Sequence, residues 1–327
     1  MINTEHPTFS IVIPNYKRID TLVRAIKSVL KQELSDVLID KIIIVDDKSE
    51  NVNEIDDALI AFDDKRIVHI KNEFKTNAAY TRNQGARFSD SEWICFLDSD
   101  DCFSPSKLKY IADEIKRDLN DPLRVYVNKA AVFFDEKIED IVPHRSIHED
   151  EHISDYLFVF GEYLQTSTLT IHRSFFNDYG FNDRYIRHQD YDLCLTLYDL
   201  GYKFNILDFI GTNIYWGSLE RPTNKGESVK YSYQWIEENK RRITSLGYNN
   251  FVFKFVAIKS IRLGMKAEAL HYTKLVDLKK ISFKQKVYFF LLMLMPVFAY
   301  PYLYKAFKRR KVNAFRRKNE SIKRTDL

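Results

Sequence analysis

The sequence predicts an α/β protein: a mostly parallel, Rossmann-like sheet with a small antiparallel extension, followed by a helical C-terminal region. Three observations predict it. Strand-like apolar runs alternate with helix-like segments four times in the first hundred residues. The second run, Ile42-Ile43-Ile44-Val45, is continuously apolar, as a parallel strand covered on both faces requires. From about Lys230 onward the pattern turns helical, with basic residues between aliphatic and aromatic ones.

Each element has its own local reason. Phe9–Ile13 reads as the first strand, stopped by Pro14. Asp20 is suited to cap a helix from Thr21 to about Gln32, whose Leu22, Ile26, Val29 and Leu30 share one face. A polar helix near Val52–Phe62, a strand at Ile67–Ile70, a helix capped by Asn77 and running through Phe88, and a strand at Trp93–Leu97 follow. Pro105–Leu119 reads as an amphipathic helix. Arg124–Val127, Ala130–Phe134 and Ile138–Val142 read as strands of the antiparallel extension. Gln165–Ile171 is strand-like, and a short helix ends at Gly180. A helix over Gln189–Leu200 stops at Gly201, and Tyr202–Leu207 and Ile210–Trp216 are extended. In the last third, helices are expected over Tyr231–Leu246, Phe251–Leu263 and Lys266–Leu278.

Composition narrows the function classes. A chain of 327 residues, 45% hydrophobic with 9 glycines and 8 prolines, can bury a large core and has little room for disordered linkers. Cys95, Cys102 and Cys194 lie far apart, which points to reduced thiols rather than a disulfide scaffold or a zinc site. The polar segment Met1–Pro7 has no signal-peptide pattern, so a cytoplasmic chain is expected. The net charge of +4 is unevenly spread. Between Asp277 and Glu320 there is no acidic residue, while twelve are basic, and without them the chain is acidic. Within this stretch, residues 287–304 carry no charge. That is the lower edge of a membrane span, and Pro296 and Pro301 interrupt it. An in-plane or re-entrant element beside basic clusters is therefore expected, peripheral at a membrane face, the alternative being a helix packed on the body of the protein with its Lys/Arg face solvated. The apolar run argues against a nucleic-acid surface.

In parallel sheets, ligands bind beyond the carboxyl ends of the strands. Three strands end in polar groups there: Asn15-Tyr16, Asp46-Asp47 and Asp98-Ser99-Asp100. Neither a G-x-G-x-x-G nor a G-x-x-x-x-G-K loop is present, so a bound phosphate needs a cation from elsewhere. Asp98 and Asp100, two residues apart on an extended backbone, can project the same way and offer hard oxygens to Mn2+ or Mg2+. Alone, this D-x-D is equally an acidic turn, with Asp101 or Ser104 capping the helix that Pro105 opens. Asp46-Asp47 alone is equally a solvated turn, and Arg82 a surface residue. Asp190 lies three residues before Leu193, on the inward stripe with Leu197 and Leu200, while Asp192 and Asp199 should be wet. An inward carboxylate must be paired, coordinated or working. His144, His148 and His152, among Glu149, Asp150 and Glu151, read as a mobile solvated loop rather than a metal helix.

Ser10-Ile-Val-Ile-Pro-Asn-Tyr16, Ile43-Ile-Val-Asp-Asp-Lys-Ser49, Thr81-Arg-Asn-Gln-Gly85 and Phe96-Leu-Asp-Ser-Asp-Asp101 resemble, in order and spacing, the successive motifs of family 2 glycosyltransferases, which have the GT-A fold. The resemblance covers about the first third of the chain. It implies a GT-A catalytic domain over 1–217, with a nucleotide-sugar half at 1–104 and an acceptor half at 105–217, and a helical region at 218–327. It implies that a pyrimidine lies against Pro14, Asn15 and Tyr16, with Asp46 and Asp47 near the base or ribose. Arg18, Arg82 and Ser99 complete the nucleotide-sugar set. Asp100 and Asp98 would hold the metal, and Asp190 would be the catalytic base. His188, Gln189 and Arg221 are candidates for the diphosphate or acceptor. The implied activity is inverting transfer from a UDP-sugar to a glycan, the acceptor being polyprenyl-diphosphate-linked, in bacterial O-antigen or capsule assembly. Oligomeric state stays open. The rivals are a sugar nucleotidyltransferase, which normally carries a glycine-rich loop after the first strand, and a non-catalytic carbohydrate- or membrane-binding protein.

Overall fold

The computed structural model describes residues 6–33, 37–134, 136–216 and 228–300. The chain forms two compact units: Met1–Leu157 with Gly161–Thr223, and Phe158–Phe160 with Asn224–Leu327.

The first unit opens with β1 (Thr8–Asn15), α1 (Asp20–Leu30), β2 (Leu38–Asp46), α2 (Val52–Ile60), β3 (Ile67–Lys71), α3 (Ala78–Phe88) and β4 (Trp93–Phe96). Then come β5 (Cys102–Phe103), α4 (Lys107–Arg117), β6 (Arg124–Phe134), β7 (Lys137–Val142), α5 (Ile153–Phe158), β8 (Leu169–His172), α6 (Phe175–Asp178), α7 (Gln189–Asp199) and β9 (Lys203–Tyr215). The sheet runs β3-β2-β1-β4-β8-β6-β9-β5, with β7 beside β6. β1, β2, β3 and β4 pair in parallel, as the continuous apolar runs require. Antiparallel pairing begins at β8, which joins β4 to β6, and β6 and β9 are again parallel.

One face of β1, β2 and β4 packs Ile11, Ile13, Ile42, Ile44, Trp93 and Cys95 against Leu22, Ile26 and Val29 of α1 and Leu108, Ile111 and Ile115 of α4. On the other face α3 approaches so closely that a Cβ on Gly85 would lie 2.5 Å from Val12 Cγ1 and 3.1 Å from Val45 Cγ2. Both neighbours are β-branched and stiff. Gly85→Ala is therefore expected to destabilise the unit by about 1–3 kcal/mol through overpacking, more than the roughly 1 kcal/mol that alanine returns as helix propensity. A urea midpoint equal to or above wild type would contradict this.

Several expectations are corrected. β1 runs through Pro14 to Asn15. Pro14 pairs only with Val45 of β2, because β4 pairs with β1 no further than Val12, so the missing N–H leaves no partner stranded. Asp20 is the first residue of α1 and makes no side-chain cap. Asn77 does cap α3, accepting from the amides of Ala79 and Tyr80. The two strands expected over 124–134 are one, continuous across register shifts at Asn128–Ala130. The two expected over 202–216 are likewise the single β9. Gln165–Thr168 is not strand: it forms a short 3-10 turn before β8.

The histidine segment is irregular rather than helical, as expected, and is pinned at two points. The His144 ring meets Asp140 at 3.0 Å and Glu162 at 3.2 Å, and Arg145 grips both oxygens of Glu151. Of the three carboxylates expected to be solvated, Glu149 and Asp150 are exposed and only Glu151 is a pairing partner. The Asp140 and Glu162 carboxylates raise the His144 pKa to about 9. A pKa raised on folding adds stability that is fully present below the ordinary histidine value and is lost as pH rises through about 9. Wild type should thus lose more stability than His144→Gln between pH 6.5 and 9.5, by no more than about 1 kcal/mol because the ring is partly exposed. Equal losses in urea melts would refute the assignment.

The second unit contains α8 (Val229–Glu238), α9 (Ser245–Phe251), a π segment (Val252–Ala257) continuing into α10 (Ile258–Arg262), α11 (Lys266–Thr273) and α12 (Phe283–Leu294). The helix expected over Tyr231–Leu246 is divided, α8 ending at Glu238 and α9 starting at Ser245, whereas Phe251–Arg262 is helical throughout as expected. Phe251 is the hub, meeting Phe158 edge to face at 4.9 Å and Trp235 at a tilt at 5.3 Å. Lys254 Nζ donates to the carbonyls of Phe158 and Val159, at 2.7 and 2.6 Å. Among the described residues no helix is long and apolar enough to cross a membrane.

Candidate active site

The carboxyl ends of β1, β2 and β4 converge in the first unit. After β1, Asn15 is buried and its Nδ2 donates to Asp46 Oδ2 at 3.3 Å, while its Oδ1 is buried without a partner. Lys17 adopts φ 59°, turning the chain so that its amide donates to Ser49 Oγ at 2.6 Å. Lys75 Nζ sits 3.4 Å from the centre of the Tyr16 ring. Pro14 is half-buried beside this turn.

The two acids after β2 are buried, not a solvated turn. Asp46 turns inward and accepts from the Ser49 amide and hydroxyl, both at 2.6 Å. Asp47 accepts from the Thr76 amide at 2.8 Å and hydroxyl at 2.5 Å, and pairs with Lys75. Burial pushes the Asp47 carboxyl up, but Lys75 and Thr76 outweigh it and hold it below the usual carboxylate range.

Asp98 to Asp101 form a turn, closed by the Asp101 amide donating to the Asp98 carbonyl at 2.9 Å. The carboxylates are therefore aimed by the turn and their partners, not by strand alternation. Asp98 Oδ1 pairs with Arg82 at 2.5 Å, and its Oδ2 accepts from Gln165 Nε2 at 3.1 Å. Asp100 pairs with Arg18 at 2.8 Å, and the same guanidinium lies 3.5 Å from Ser99 Oγ. Both carboxylates remain partly open to solvent. Arg82 is buried rather than a surface residue. It joins three segments, reaching Asp98 after β4 and Gln189 Oε1 at 3.2 Å at the start of α7.

The sequence reading missed the layer beneath. Asp101 does not cap α4. It is buried, and accepts from Gln165 Nε2 at 3.0 Å and Ser167 Oγ at 2.7 Å. Burial first, then Asp100 and Asp98, push its carboxyl well up. Ser167 Oγ also accepts the Asp98 amide at 2.9 Å. Lys107 is fully buried and donates to the Ser167 carbonyl at 2.7 Å, and burial pulls its amine down to about 7. One signal was available for Lys107: it lies four residues before Ile111 and eight before Ile115, on the apolar stripe of α4.

Asp190 stands in the first turn of α7, entered through His188 in the left-handed region at φ 63°. It is partly buried and its Oδ1 accepts the Tyr191 amide at 3.0 Å. Burial raises its carboxyl above the usual range, Asp98 adds to this, and Arg82 opposes it. The His188 ring stacks on Tyr191 at 5.6 Å. Tyr163, which the sequence did not single out, senses Asp190, Asp98 and Asp101, and burial foremost drives its hydroxyl upward. Asp192, expected to be wet, is buried: Leu193, Cys194, Leu195 and Leu197 are buried as well, so α7 is covered on more than one side. Asp199 is exposed as expected. Arg221 lies outside the described residues.

Two arginines, three acids and a partly open carboxylate on an adjacent helix thus meet at strand ends. The comparisons bear on this arrangement. The family model described as "Glycosyl transferase family 2" matches residues 10–180. The amylovoran biosynthesis glycosyltransferase AmsB of Erwinia amylovora is 31% identical over 241 residues, covering 72% of this chain and 79% of AmsB. The chain belongs to glycosyltransferase family 2. This enzyme is also 34% identical over 100 residues to the Escherichia coli protein named UDP-Glc:alpha-D-GlcNAc-diphosphoundecaprenol beta-1,3-glucosyltransferase WfgD, covering 31% of this chain and 38% of WfgD. Its fold matches that of Staphylococcus aureus TarS 1–349 in complex with UDP-GlcNAc at TM-score 0.56 and 16% identity, over 81% of the glycosyltransferase and 78% of TarS. The mixed α/β fold is thus of the GT-A kind, and the nucleotidyltransferase and non-catalytic alternatives fall away. The matched segment holds Pro14 through Asp101 but ends before Asp190.

Proposed function

We propose that the glycosyltransferase moves a hexose or N-acetylhexosamine from a UDP-sugar to a hydroxyl of a lipid-linked glycan, with inversion, in bacterial surface-polysaccharide synthesis. The observation that carries the reading is the partly buried Asp190 carboxylate in the first turn of α7, next to Gln189, which Arg82 of the Arg82–Asp98 pair reaches at 3.2 Å. The names of AmsB and WfgD support polysaccharide synthesis and a diphosphate-lipid acceptor, and TarS bound to UDP-GlcNAc supports the donor class.

In this reading residues 1–104 grip the nucleotide and 105–217 shape the acceptor side. Tyr16 and Asn15 meet the pyrimidine, and the unpartnered Asn15 Oδ1 offers an acceptor to a base N–H. Asp47, already ionised, faces the base or ribose. The donor set also suits Mn2+ or Mg2+, because Asp98 and Asp100 are hard oxygen donors that are partly open. Among the described residues no group of three or more histidines, cysteines or acids could hold a metal ion, so a cation held by Asp98 and Asp100 would take its remaining oxygens from water and phosphate. Bound there, the cation supplies positive charge against the leaving diphosphate. Arg18 and Arg82 add charge on the same side, and His188 and Gln189 border the acceptor or diphosphate. Asp190 accepts the proton of the attacking hydroxyl as its oxygen bonds to the anomeric carbon. The bond from that carbon to the UDP oxygen breaks on the opposite face, and UDP leaves with the electron pair. The enzyme works at the cytoplasmic face of the membrane, peripherally attached.

A panel of nucleotide sugars, assayed with Mn2+ for binding and slow hydrolysis, tests the reading. One UDP-sugar should be preferred over its GDP and CMP counterparts. A protein that binds no UDP-sugar would overturn it.

A further inference from the structure

We propose that α12 docks the protein on an anionic lipid surface, lying in the membrane plane. This deepens the peripheral attachment proposed above by naming the element and its partner. Phe283, Val287, Phe290, Leu291 and Leu294 are all exposed, Phe283 at 78%, Phe290 at 61% and Leu294 at 67%. At 100° per residue these five positions fall within one stripe of about 100°. The opposite side of α12 is seated in its own unit. Leu292 is buried, Phe289 meets Phe253 at 5.3 Å, and Lys266 Nζ donates to the carbonyls of Met293 and Met295 at 2.8 and 2.7 Å. Ser282 and Gln285 close the first turn as a capping box. The apolar stripe is therefore presented by a fixed helix.

Charge chooses the occupant. Lys284 and Lys286 flank the stripe, one on each side, and Lys279 and Lys280 precede it. No acidic residue follows Asp277 until Glu320, and eight more cations lie within residues 305–318. Long cationic side chains beside an apolar stripe place their charges at headgroups while the stripe enters the acyl boundary. A second copy packed stripe to stripe would bring the lysine flanks together and gain no neutralisation. The helix has 12 residues and spans about 18 Å, too short for a hydrocarbon core of roughly 30 Å, and Pro296 follows it. Lying flat is the geometry left to it.

The test is flotation of the full-length protein with phosphatidylcholine vesicles, with or without 30% phosphatidylglycerol, at low and at 0.5 M salt. Binding is expected only with phosphatidylglycerol and weakened by salt. Phe290→Glu with Leu294→Glu should reduce it at least tenfold, Lys284→Glu with Lys286→Glu several-fold, and Phe290→Leu little. UDP-sugar hydrolysis without vesicles should match wild type in all, which also shows the variants to be folded. If hydrolysis is absent throughout but binding follows this pattern, docking stands and the catalytic reading fails. Equal binding to both vesicle types, full binding by the double glutamate variant, or loss of a solution dimer without any vesicle binding would each overturn the proposal.

Discussion

Asp190→Asn is expected to lower kcat by on the order of 10²–10⁴-fold, the range general-base removal produces, with the donor KM nearly unchanged. Asparagine keeps the shape and can still accept the Tyr191 amide, now 3.0 Å from Oδ1. What it cannot do is take a proton. The pH profile supplies a second readout. Only the ionised carboxylate works as a base, so kcat/KM falls as pH falls through the Asp190 pKa. Burial raises that pKa, so the acid limb should lie on the alkaline side of an ordinary aspartate. Arg82 opposes the rise. Arg82→Met should therefore move the limb to still higher pH, besides slowing turnover. Initial rates at saturating donor, with UDP binding by calorimetry as a fold check, decide the matter. Undiminished kcat in Asp190→Asn would remove the base from the mechanism.

The reach of sequence reasoning follows the range of the interactions. The parallel strands were legible because burial on both faces forces runs such as Ile42–Val45. The acids at their ends were legible because charge at a strand terminus needs a partner. Their orientation was not, since Asp98 and Asp100 are aimed by a turn and by arginines 16 and 82 residues away. The support beneath them was out of reach for the same reason: Gln165 and Ser167 meet Asp101 across more than 60 residues. Asp192 misled because an i, i+3 stripe assumes one covered face, and α7 is covered on several. At Pro14 the strand continues because its neighbour on that side has already ended, a fact of register that no local pattern carries.

Asp100→Ala should raise the Kd for UDP in the presence of Mn2+ at least tenfold, about 1.4 kcal/mol or more, and leave the metal-free Kd close to wild type. Unfolding is a poor explanation for such a loss. The partner left behind, Arg18, keeps 26% of its side chain exposed and can be solvated, so the broken pair costs under about 1 kcal/mol of stability. Asp101 is the contrasting case. Its buried carboxyl ties Gln165 and Ser167 together, and Ser167 in turn holds the Asp98 amide. Asp101→Ala should therefore lower the urea midpoint as well as activity, whereas Asp100→Ala changes binding alone. Gln165→Leu frees one oxygen of Asp98 without removing a carboxylate, and its loss of Mn2+-dependent affinity should be smaller than that of Asp100→Ala. Calorimetric titration of UDP with and without Mn2+, on all three variants, separates a cation ligand from its scaffolding. If Asp100→Ala lost affinity equally under both conditions, the carboxylate would be contacting the nucleotide side without a cation between them, and the assignment of Asp98 and Asp100 as its ligands would have to be given up.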